Sequence, residues 1–336
     1  MTSGTGRRPG TGAPGTPGET SAARTARAEE TARADVEVVE YTDPLCPWSW
    51  GAEPVLRRLG AALGGRVRRR RVYGVLFDHD DDPPPDPAAE TAWYARYVED
   101  VSAHTGAPRA ARLSRVAASS WPASLVAKAA RRQGEEVAER VLRRLRETLF
   151  VLGEPADTPA LALAAARGVP GLDPARLAAD AAGAAVLAEV RADRAEARRP
   201  VREVLAVPAA GSPHPGAAKE TDDGGHRYAL PTVLVSGPAG RRAVPGWRPY
   251  EAYAAAVDAV CPGAVSPYDA LSPARALERY RSLTEPERRL LTRGPWPPAG
   301  AVRVDTAGGP LWLHPDEAAV HPATRGGGPA TPPPAL

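Results

Sequence analysis

Cys46 is the residue whose type and surroundings point most directly to chemistry. It lies in the turn-rich segment Asp43–Trp50 (DPLCPWSW), after which apolar side chains recur at helical spacing from Glu53 to Leu63. A cysteine at the start of a helix meets unpaired backbone N–H groups and the positive end of the helix dipole. Such a position lowers a thiol pKa from ~8.5 into a range of about 3.5 to 7.5, so we expect a Cys46 pKa below ~8. The alternative is a buried structural cysteine.

A second candidate feature is Pro231, which stands near the front of the apolar segment Tyr228–Val235. A proline there removes a hydrogen-bond donor from the strand and marks an edge, a strand start or a cis peptide bond. The alternative is a trans proline that simply begins the strand, which is the commoner form. A functional partnership with Cys46 is what favours the cis form.

Several elements must position these residues. Val36–Tyr41 predicts a buried strand, and residues 67–76 predict a second strand after the helix, joined by a right-handed parallel crossover. From residue 88 to about 199 the chain is rich in Ala, Leu, Arg and Glu with apolar spacings of three and four, which predicts at least four helices. Strand chemistry returns at Tyr228–Ser236, and residues 284–317 predict a helix followed by a hairpin.

The segment Asp43–Trp50 resembles the active-site segment of the DsbA family of thioredoxin-fold proteins, particularly its FrnE-like and SpxH-like cytoplasmic branches. Leu230-Pro231-Thr232 resembles the cis-proline loop of that family, and residues 121–130 (WPASLVAKAA) resemble one of its helices. The resemblance extends over about residues 36–260. It implies an α/β protein with a thioredoxin-like fold and a large α-helical insertion, which brings Cys46 and Pro231 together.

This resemblance divides the chain into a thioredoxin-like domain and added segments. The two ends are rich in Gly and Pro and are predicted to be disordered, and a GxGxxG pattern in the first of them follows no strand. The predicted organisation is a disordered tail over 1–34, a thioredoxin-like domain over 35–87 and 227–262, a helical insertion over 88–200, a loop over 201–226, a small C-terminal extension over 263–317, and a disordered tail over 318–336.

The sequence departs from the CxxC pattern of the family because Ser49 stands at the second cysteine position. A serine cannot resolve a mixed disulfide, although its hydroxyl can donate a hydrogen bond to a Cys46 thiolate. A resolving thiol must then come from a small molecule or a second protein. Cys261, before Pro262 at a predicted helix end, is a weak internal candidate because disulfide geometry is narrow.

The resemblance assigns catalytic roles to Cys46, Ser49 and Pro231. It assigns substrate binding to Pro47, Trp48, Trp50 and Leu230. For the two tryptophans, packing in the core is an equally good interpretation. No cofactor is expected, unless a low-molecular-weight thiol acts as co-substrate.

Composition excludes several classes of function. No apolar run approaches the ~20 residues that cross a bilayer, and two cysteines exclude a disulfide framework or a zinc site built on two cysteine pairs. The acidic run Asp78–Asp82 predicts an exposed loop rather than a calcium site, and the scattered histidines fit no metal spacing. The arginines of residues 66–71 accompany no recognition motif, and Lys plus Arg (43) nearly balance Asp plus Glu (40), so we expect no nucleic-acid partner.

The sequence therefore predicts a monothiol relative of the DsbA-family thiol–disulfide oxidoreductases, acting through Cys46 on protein or small-molecule disulfides. No export signal precedes residue 35, so the expected compartment is the cytoplasm. One alternative is a redox-inactive adaptor similar to SpxH-like proteins. Another is a relative of kappa-type glutathione transferases and isomerases, in which a serine is used near the position of Cys46.

Overall fold

The computed structural model describes residues 36–78, 86–206, 218–221 and 224–325. The predicted tail over 1–34, the acidic run after Asp78, part of the predicted loop over 201–226, and residues 326–336 lie outside the described residues. The strands are β1 (Val36–Thr42), β2 (Val67–Tyr73), β3 (Ala218–Glu220), β4 (His226–Tyr228), β5 (Thr232–Gly237), β6 (Gly240–Pro245), β7 (Ser282–Thr284), β8 (Val302–Val304) and β9 (Leu311–Leu313).

The helices alternate with these strands and fill the segment between β2 and β3. They are α1 (Pro47–Ala62), α2 (Pro87–Thr105), α3 (Trp121–Ala130), α4 (Glu135–Phe150), α5 (Pro159–Ala165), α6 (Pro174–Ala181), α7 (Ala184–Ala197), α8 (Arg202–Leu205), α9 (Tyr250–Val260), α10 (Pro273–Tyr280), α11 (Glu285–Leu291), α12 (Pro315–Ala318) and α13 (Pro322–Arg325). Within the described ranges, no helix is both long enough and apolar enough to cross a membrane.

The central sheet has four strands in the order β2-β1-β5-β6. β1 pairs in parallel with β2 through the α1 crossover, whereas β5 pairs antiparallel with β1 and β6. The β-branched side chains of β1 and β5 suit a sheet that is buried on both faces. This sheet brings the end of β1, which leads to Cys46, beside the start of β5, which follows Pro231.

The two faces of the sheet have separate cores. On one face, Val55, Leu56 and Leu59 of α1 pack with Val233 of β5 and Val257 of α9. These three α1 residues share a helical face, and Pro47 is tolerated in the first helical turn because its missing N–H would have no partner there. The opposite face carries Cys46 and Trp48 against β-strand residues, so the candidate site lies on this side.

The segment from α2 to α7 forms the largest apolar cluster, whose buried members include Leu142, Leu145 and Leu149 of α4. Helices therefore separate β2 from β3 in sequence, while β1, β2, β5 and β6 remain one sheet. The predicted α/β thioredoxin-like fold with a large α-helical insertion is confirmed. The exact domain boundaries remain predictions.

The C-terminal segment adds a separate three-stranded sheet in the order β7-β9-β8. The predicted helix and hairpin over 284–317 correspond to α11, β8 and β9, with β8 and β9 antiparallel. No described strand of this sheet pairs with the central sheet.

Two predictions of irregular structure need correction. Segment 201–226, predicted to be a loop, contains α8 and β3, and β3 pairs antiparallel with β4. The predicted disordered tail from residue 318 instead continues into α13, and His321 is buried with Nε2 3.0 Å from Glu147 Oε2. This contact spans 174 residues, so local composition carries no sign of it.

Candidate active site at Cys46

Cys46 is the residue immediately before α1, in an extended conformation, and its carbonyl accepts the backbone N–H of Trp50 at 3.0 Å. Its side chain is 3% exposed, and Sγ lies 3.5 Å from the carbonyl oxygen of Leu230, to which the thiol donates. The Leu230–Pro231 peptide bond is cis. The structure thus brings together two segments that are 184 residues apart in the chain.

Asp43 fixes the turn that presents Cys46. Its buried carboxylate accepts the backbone N–H of Leu45 at 2.7 Å, the N–H of Leu76 at 2.8 Å and the Ser120 hydroxyl at 3.0 Å. Burial raises the pKa of Asp43 to about 6 although these donors and Arg146 favour the carboxylate. The turn is therefore tied to the loop after β2 and to the start of α3.

The predicted lowering of the Cys46 pKa is not what the structure shows. Burial raises the pKa of this thiol above its ordinary value, and the nearby Asp43 carboxylate acts in the same direction. The Ser49 hydroxyl and the backbone N–H groups of Ser49 and Trp48 oppose this increase. The helix start supplies the expected N–H groups, but loss of hydration outweighs them in the free protein.

Ser49 lies in the first turn of α1 and is completely buried. Its hydroxyl has no hydrogen-bond partner within the part of the chain that the structure describes, and it favours the Cys46 thiolate more than any other side chain does. The catalytic role that the resemblance assigned to Ser49 stays a prediction.

A pocket of about 240 Å³ opens beside Cys46. Of the predicted site residues, Cys46, Pro47, Trp48 and Leu230 line it, whereas Ser49, Trp50 and Pro231 are not part of its lining. The remaining lining residues come mainly from α2 and from the β3–β4 hairpin; they include Glu90, Trp93, Tyr94, Tyr97, Lys219, Arg227 and Ala229.

Aromatic side chains form one wall of this pocket. Trp48 Nε1 donates to the Tyr97 hydroxyl at 2.7 Å, and the Trp93 ring is parallel to the Tyr97 ring at 5.8 Å. Trp93 is 58% exposed, so its indole is accessible at the pocket entrance. Sequence reasoning missed these α2 residues because helical periodicity gives no sign of which helix will lie over Cys46.

Trp50 has a structural role, which corrects its assignment to substrate binding. It is 3% exposed, its Nε1 donates to the Pro108 carbonyl at 2.8 Å, and its ring is parallel to Phe150 at 6.0 Å. The Arg143 guanidinium lies over the same ring at 4.5 Å. Because Trp50 lies two positions after Trp48 along α1, its side chain points in a different direction. It packs against the helical insertion instead of lining the pocket.

Cys261 does not lie near Cys46. Its sulfur accepts a hydrogen bond from Arg66 Nη2 at 3.4 Å, and the nearby Val265 bridges to Leu63, where α1 ends. Cys46 precedes the other end of this 16-residue helix, a distance of roughly 24 Å along its axis. Both cysteines are free. Cys261 cannot therefore resolve a disulfide at Cys46 within this fold.

The described residues contain no group of three or more His, Cys, Asp or Glu side chains placed to hold a metal ion. The chemistry available at the site is that of one thiol, flanked by a hydroxyl and a carbonyl and open to a pocket with aromatic and cationic sides.

Comparisons with known proteins agree with this architecture. Residues 40–200 match the thioredoxin family model. The ClpXP adapter protein SpxH of Shouchella clausii is 34% identical over 123 residues, which are 36% of this chain and 39% of that relative. The chain thus spans about two fifths of the length of this curated relative.

Among solved structures, a putative protein disulfide isomerase from Nitrosomonas europaea is 16% identical with a TM-score of 0.50, covering 67% of this chain and 96% of that one. The cytosolic disulfide reductase DsbM from Pseudomonas aeruginosa is 17% identical with a TM-score of 0.45, covering 66% and 93%. The predicted thioredoxin fold is therefore confirmed by a family model and by a solved structure of similar fold.

Proposed function

We propose that this protein is a thiol–disulfide oxidoreductase that uses Cys46 as its single reactive thiol. The observation that carries the proposal is the meeting of the Cys46 thiol, the Ser49 hydroxyl and the Leu230 carbonyl beside an open pocket. A disulfide bound in this pocket would reach Cys46 without displacing part of the fold.

The proposed reaction has two thiol–disulfide exchange steps. The Cys46 thiolate attacks one sulfur of a disulfide RSSR′, forming a Cys46–SR mixed disulfide and releasing R′S⁻. A thiol from outside the chain then attacks the Cys46 sulfur or the R sulfur. Attack on the R sulfur restores Cys46 and passes the disulfide to the incoming thiol, so electrons and atoms balance.

Deprotonation of Cys46 limits the first step. The thiolate is the attacking species, and burial raises the Cys46 pKa in the free protein. Ser49 opposes that increase by stabilising the thiolate. We therefore expect reaction rates to rise with pH beyond neutrality, in contrast with a strongly acidic active-site thiol.

The second thiol must come from another molecule. Ser49 has no sulfur, and Cys261 lies at the far end of α1. A low-molecular-weight thiol or a protein thiol supplies it in this proposal. We place the reaction in the cytoplasm, where thiols are kept reduced, and both cysteines of the chain are free.

A specific observation supports a second candidate function, that of an adaptor that binds a partner without redox chemistry. The matched relative is named as a ClpXP adapter, and the raised pKa of Cys46 together with Ser49 would suit a protein that has lost its exchange activity. In this alternative, the exposed Trp93 and the rest of the pocket serve as a binding surface.

Trapping of mixed disulfides distinguishes the two functions. We would express the full chain, its Cys46→Ala variant and a Cys261→Ala control, quench cells with acid and alkylating agent, and compare adducts on non-reducing gels. An oxidoreductase forms dithiothreitol-sensitive adducts in the wild type and in Cys261→Ala, and loses them in Cys46→Ala. Absence of adducts in all three, with binding partners unchanged in Cys46→Ala, would reject the oxidoreductase and favour the adaptor.

A further inference from the structure

The pocket beside Cys46 has two cationic side chains that come from one hairpin. β3 and β4 pair antiparallel, and Lys219 stands directly opposite Arg227 in their register. Both side chains line the same pocket as Cys46. Like charges directly opposite each other across two strands are destabilising, so this pair carries a cost in the absence of a bound anion.

Neither cation has a carboxylate partner within the described residues. Arg227 is half-buried, and its hydrogen bond goes from Nη1 to the neighbouring Tyr228 carbonyl at 3.2 Å. Burial lowers the pKa of Arg227. Burial also lowers the pKa of Lys219, and the nearby charge of Arg227 adds to that effect. Glu90 lines the same pocket but forms no ion pair with either cation.

The buried arginines of α4 have a different environment. Arg143 contacts Glu287 at 2.9 Å, and Arg146 contacts Glu53 at 2.9 Å. The fold thus supplies carboxylates where guanidinium groups are buried for structure, as the cost of burying a charge requires. Arg227 has no such carboxylate partner among the described residues, and it lines the open pocket beside Cys46.

We propose that Lys219 and Arg227 form an anion subsite that selects low-molecular-weight disulfides with a carboxylate close to the reacting sulfur. A carboxylate matches the planar fork of a guanidinium, and a bound anion relieves the repulsion between the two cations. The pocket volume of about 240 Å³ lies below the range that takes drug-sized ligands, so it suits a small molecule rather than a folded partner. This inference deepens the proposed function and rests on it.

The exchange step is the one already described. In the disulfide R–S–S–R, the carboxylate of one half binds Lys219 and Arg227. The Cys46 thiolate attacks the sulfur of that same half. The second RS⁻ leaves with its own carboxylate, and an external thiol later releases the bound half. The cations orient the substrate and do not change the balance of electrons or atoms.

The test compares two reagents that alkylate a thiol by the same reaction but differ in charge. The full chain carrying Cys261→Ala would be treated with iodoacetate and, separately, with iodoacetamide. The quantity measured is the rate of Cys46 alkylation by iodoacetate divided by the rate with iodoacetamide. In a Lys219→Gln/Arg227→Gln variant we expect this ratio to fall by roughly tenfold, the lower end of the effect that charged clefts have on association rates. Arg242→Gln, an exposed change on β6, should leave the ratio unchanged.

Added salt should reduce the ratio in the wild type, because it screens charges that are open to solvent. An equal ratio in wild type and the double variant would overturn the subsite. If the double variant fails to fold, Arg227→Lys with Lys219→Arg retains both charges, and loss of the iodoacetate preference there would equally reject a charge-based subsite.

A second measurement separates this inference from the proposed function. Dithiodiglycolate (anionic), hydroxyethyl disulfide (neutral) and cystamine (cationic) would each be offered to Cys46, with mixed disulfides followed by mass spectrometry. Preference for the anionic disulfide supports both proposals, and equal reaction with all three rejects only the subsite. Absence of any mixed disulfide rejects the oxidoreductase, while the alkylation ratio still decides whether the anion subsite exists.

Discussion

Arg143 in α4 and Glu287 in α11 form a completely buried ion pair, with Nη2 2.9 Å from Oε2 and Nη1 3.1 Å from Oε1. Glu287 also accepts Arg57 Nη1 of α1 at 2.8 Å. One carboxylate therefore joins the helical insertion, the helix that follows Cys46 and the C-terminal segment. The C-terminal segment is attached to the thioredoxin-like core by buried charges as well as by apolar contact.

Removal of the Glu287 charge should destabilise the protein strongly. Glu287→Gln leaves Arg143 buried without its main counter-charge, which typically costs about 3–5 kcal/mol. Glu136→Gln is the matched control, because the Glu136–Arg140 pair of α4 is 72% exposed at Glu136 and such pairs contribute less than ~1 kcal/mol. Urea unfolding measures the free energy of unfolding of both variants and of the wild type. Similar losses in the two variants would contradict a structural role for the buried pair.

Glu53 should make the fold sensitive to acid. Burial opposes its ionisation, but Arg143, Arg57 and Arg146 outweigh burial and lower the pKa of Glu53 to about 2 from an ordinary value of 4.5. Its stabilising effect is therefore present above pH 4.5 and is lost as the pH falls toward 2, up to about 3 kcal/mol in all. Unfolding curves between pH 7 and pH 3 should be less pH-dependent for Glu53→Gln, and an unchanged pH dependence would exclude this carboxylate as a cause.

Ser49→Ala should raise the Cys46 pKa further, because it removes the hydroxyl that favours the thiolate. The rate of iodoacetamide alkylation against pH measures this directly in a Cys261→Ala background. Ser124→Ala is a suitable control, since Ser124 is also fully buried with no partner for its hydroxyl among the described residues but lies in α3. A pH profile that does not move in Ser49→Ala would remove Ser49 from the active site.

Ser49→Cys should produce a reversible disulfide with Cys46. The two residues are three positions apart at the first turn of α1, where side chains share a face. Mass spectrometry after oxidation should show loss of two hydrogens, recovered with dithiothreitol, together with new dithiol reductase activity. Two free thiols after oxidation would indicate that the side chains do not approach each other.

Substitution of Trp50 by alanine should destabilise the protein far more than the same substitution of Trp93. Trp50→Ala removes the buried ring that packs on Phe150 and under Arg143, so it should cost about 3–5 kcal/mol of stability. Trp93→Ala should change stability by less than ~0.5 kcal/mol because its side chain is mostly exposed. Thermal unfolding of both variants provides the comparison. A stable Trp50→Ala protein would contradict the structural role.

Local sequence was sufficient to predict where Cys46 lies in the fold. A turn bounded by Pro44 and Pro47 before a periodic apolar segment placed Cys46 at a helix start, and the structure has it immediately before α1. The proline-led strand near Pro231 likewise led to the segment whose Leu230 carbonyl contacts the thiol. Such patterns are readable because turns and helix starts depend on neighbouring residues.

The tertiary structure decided the chemistry of the site. Burial of Cys46 against segments almost two hundred residues away raises its pKa, whereas the helix start alone predicts a lower one. The same packing separates Trp48 from Trp50 and brings Lys219, from a predicted loop, and Arg227 to the pocket. Hydration and charge at a side chain depend on which distant residues surround it, and only the folded chain determines those neighbours.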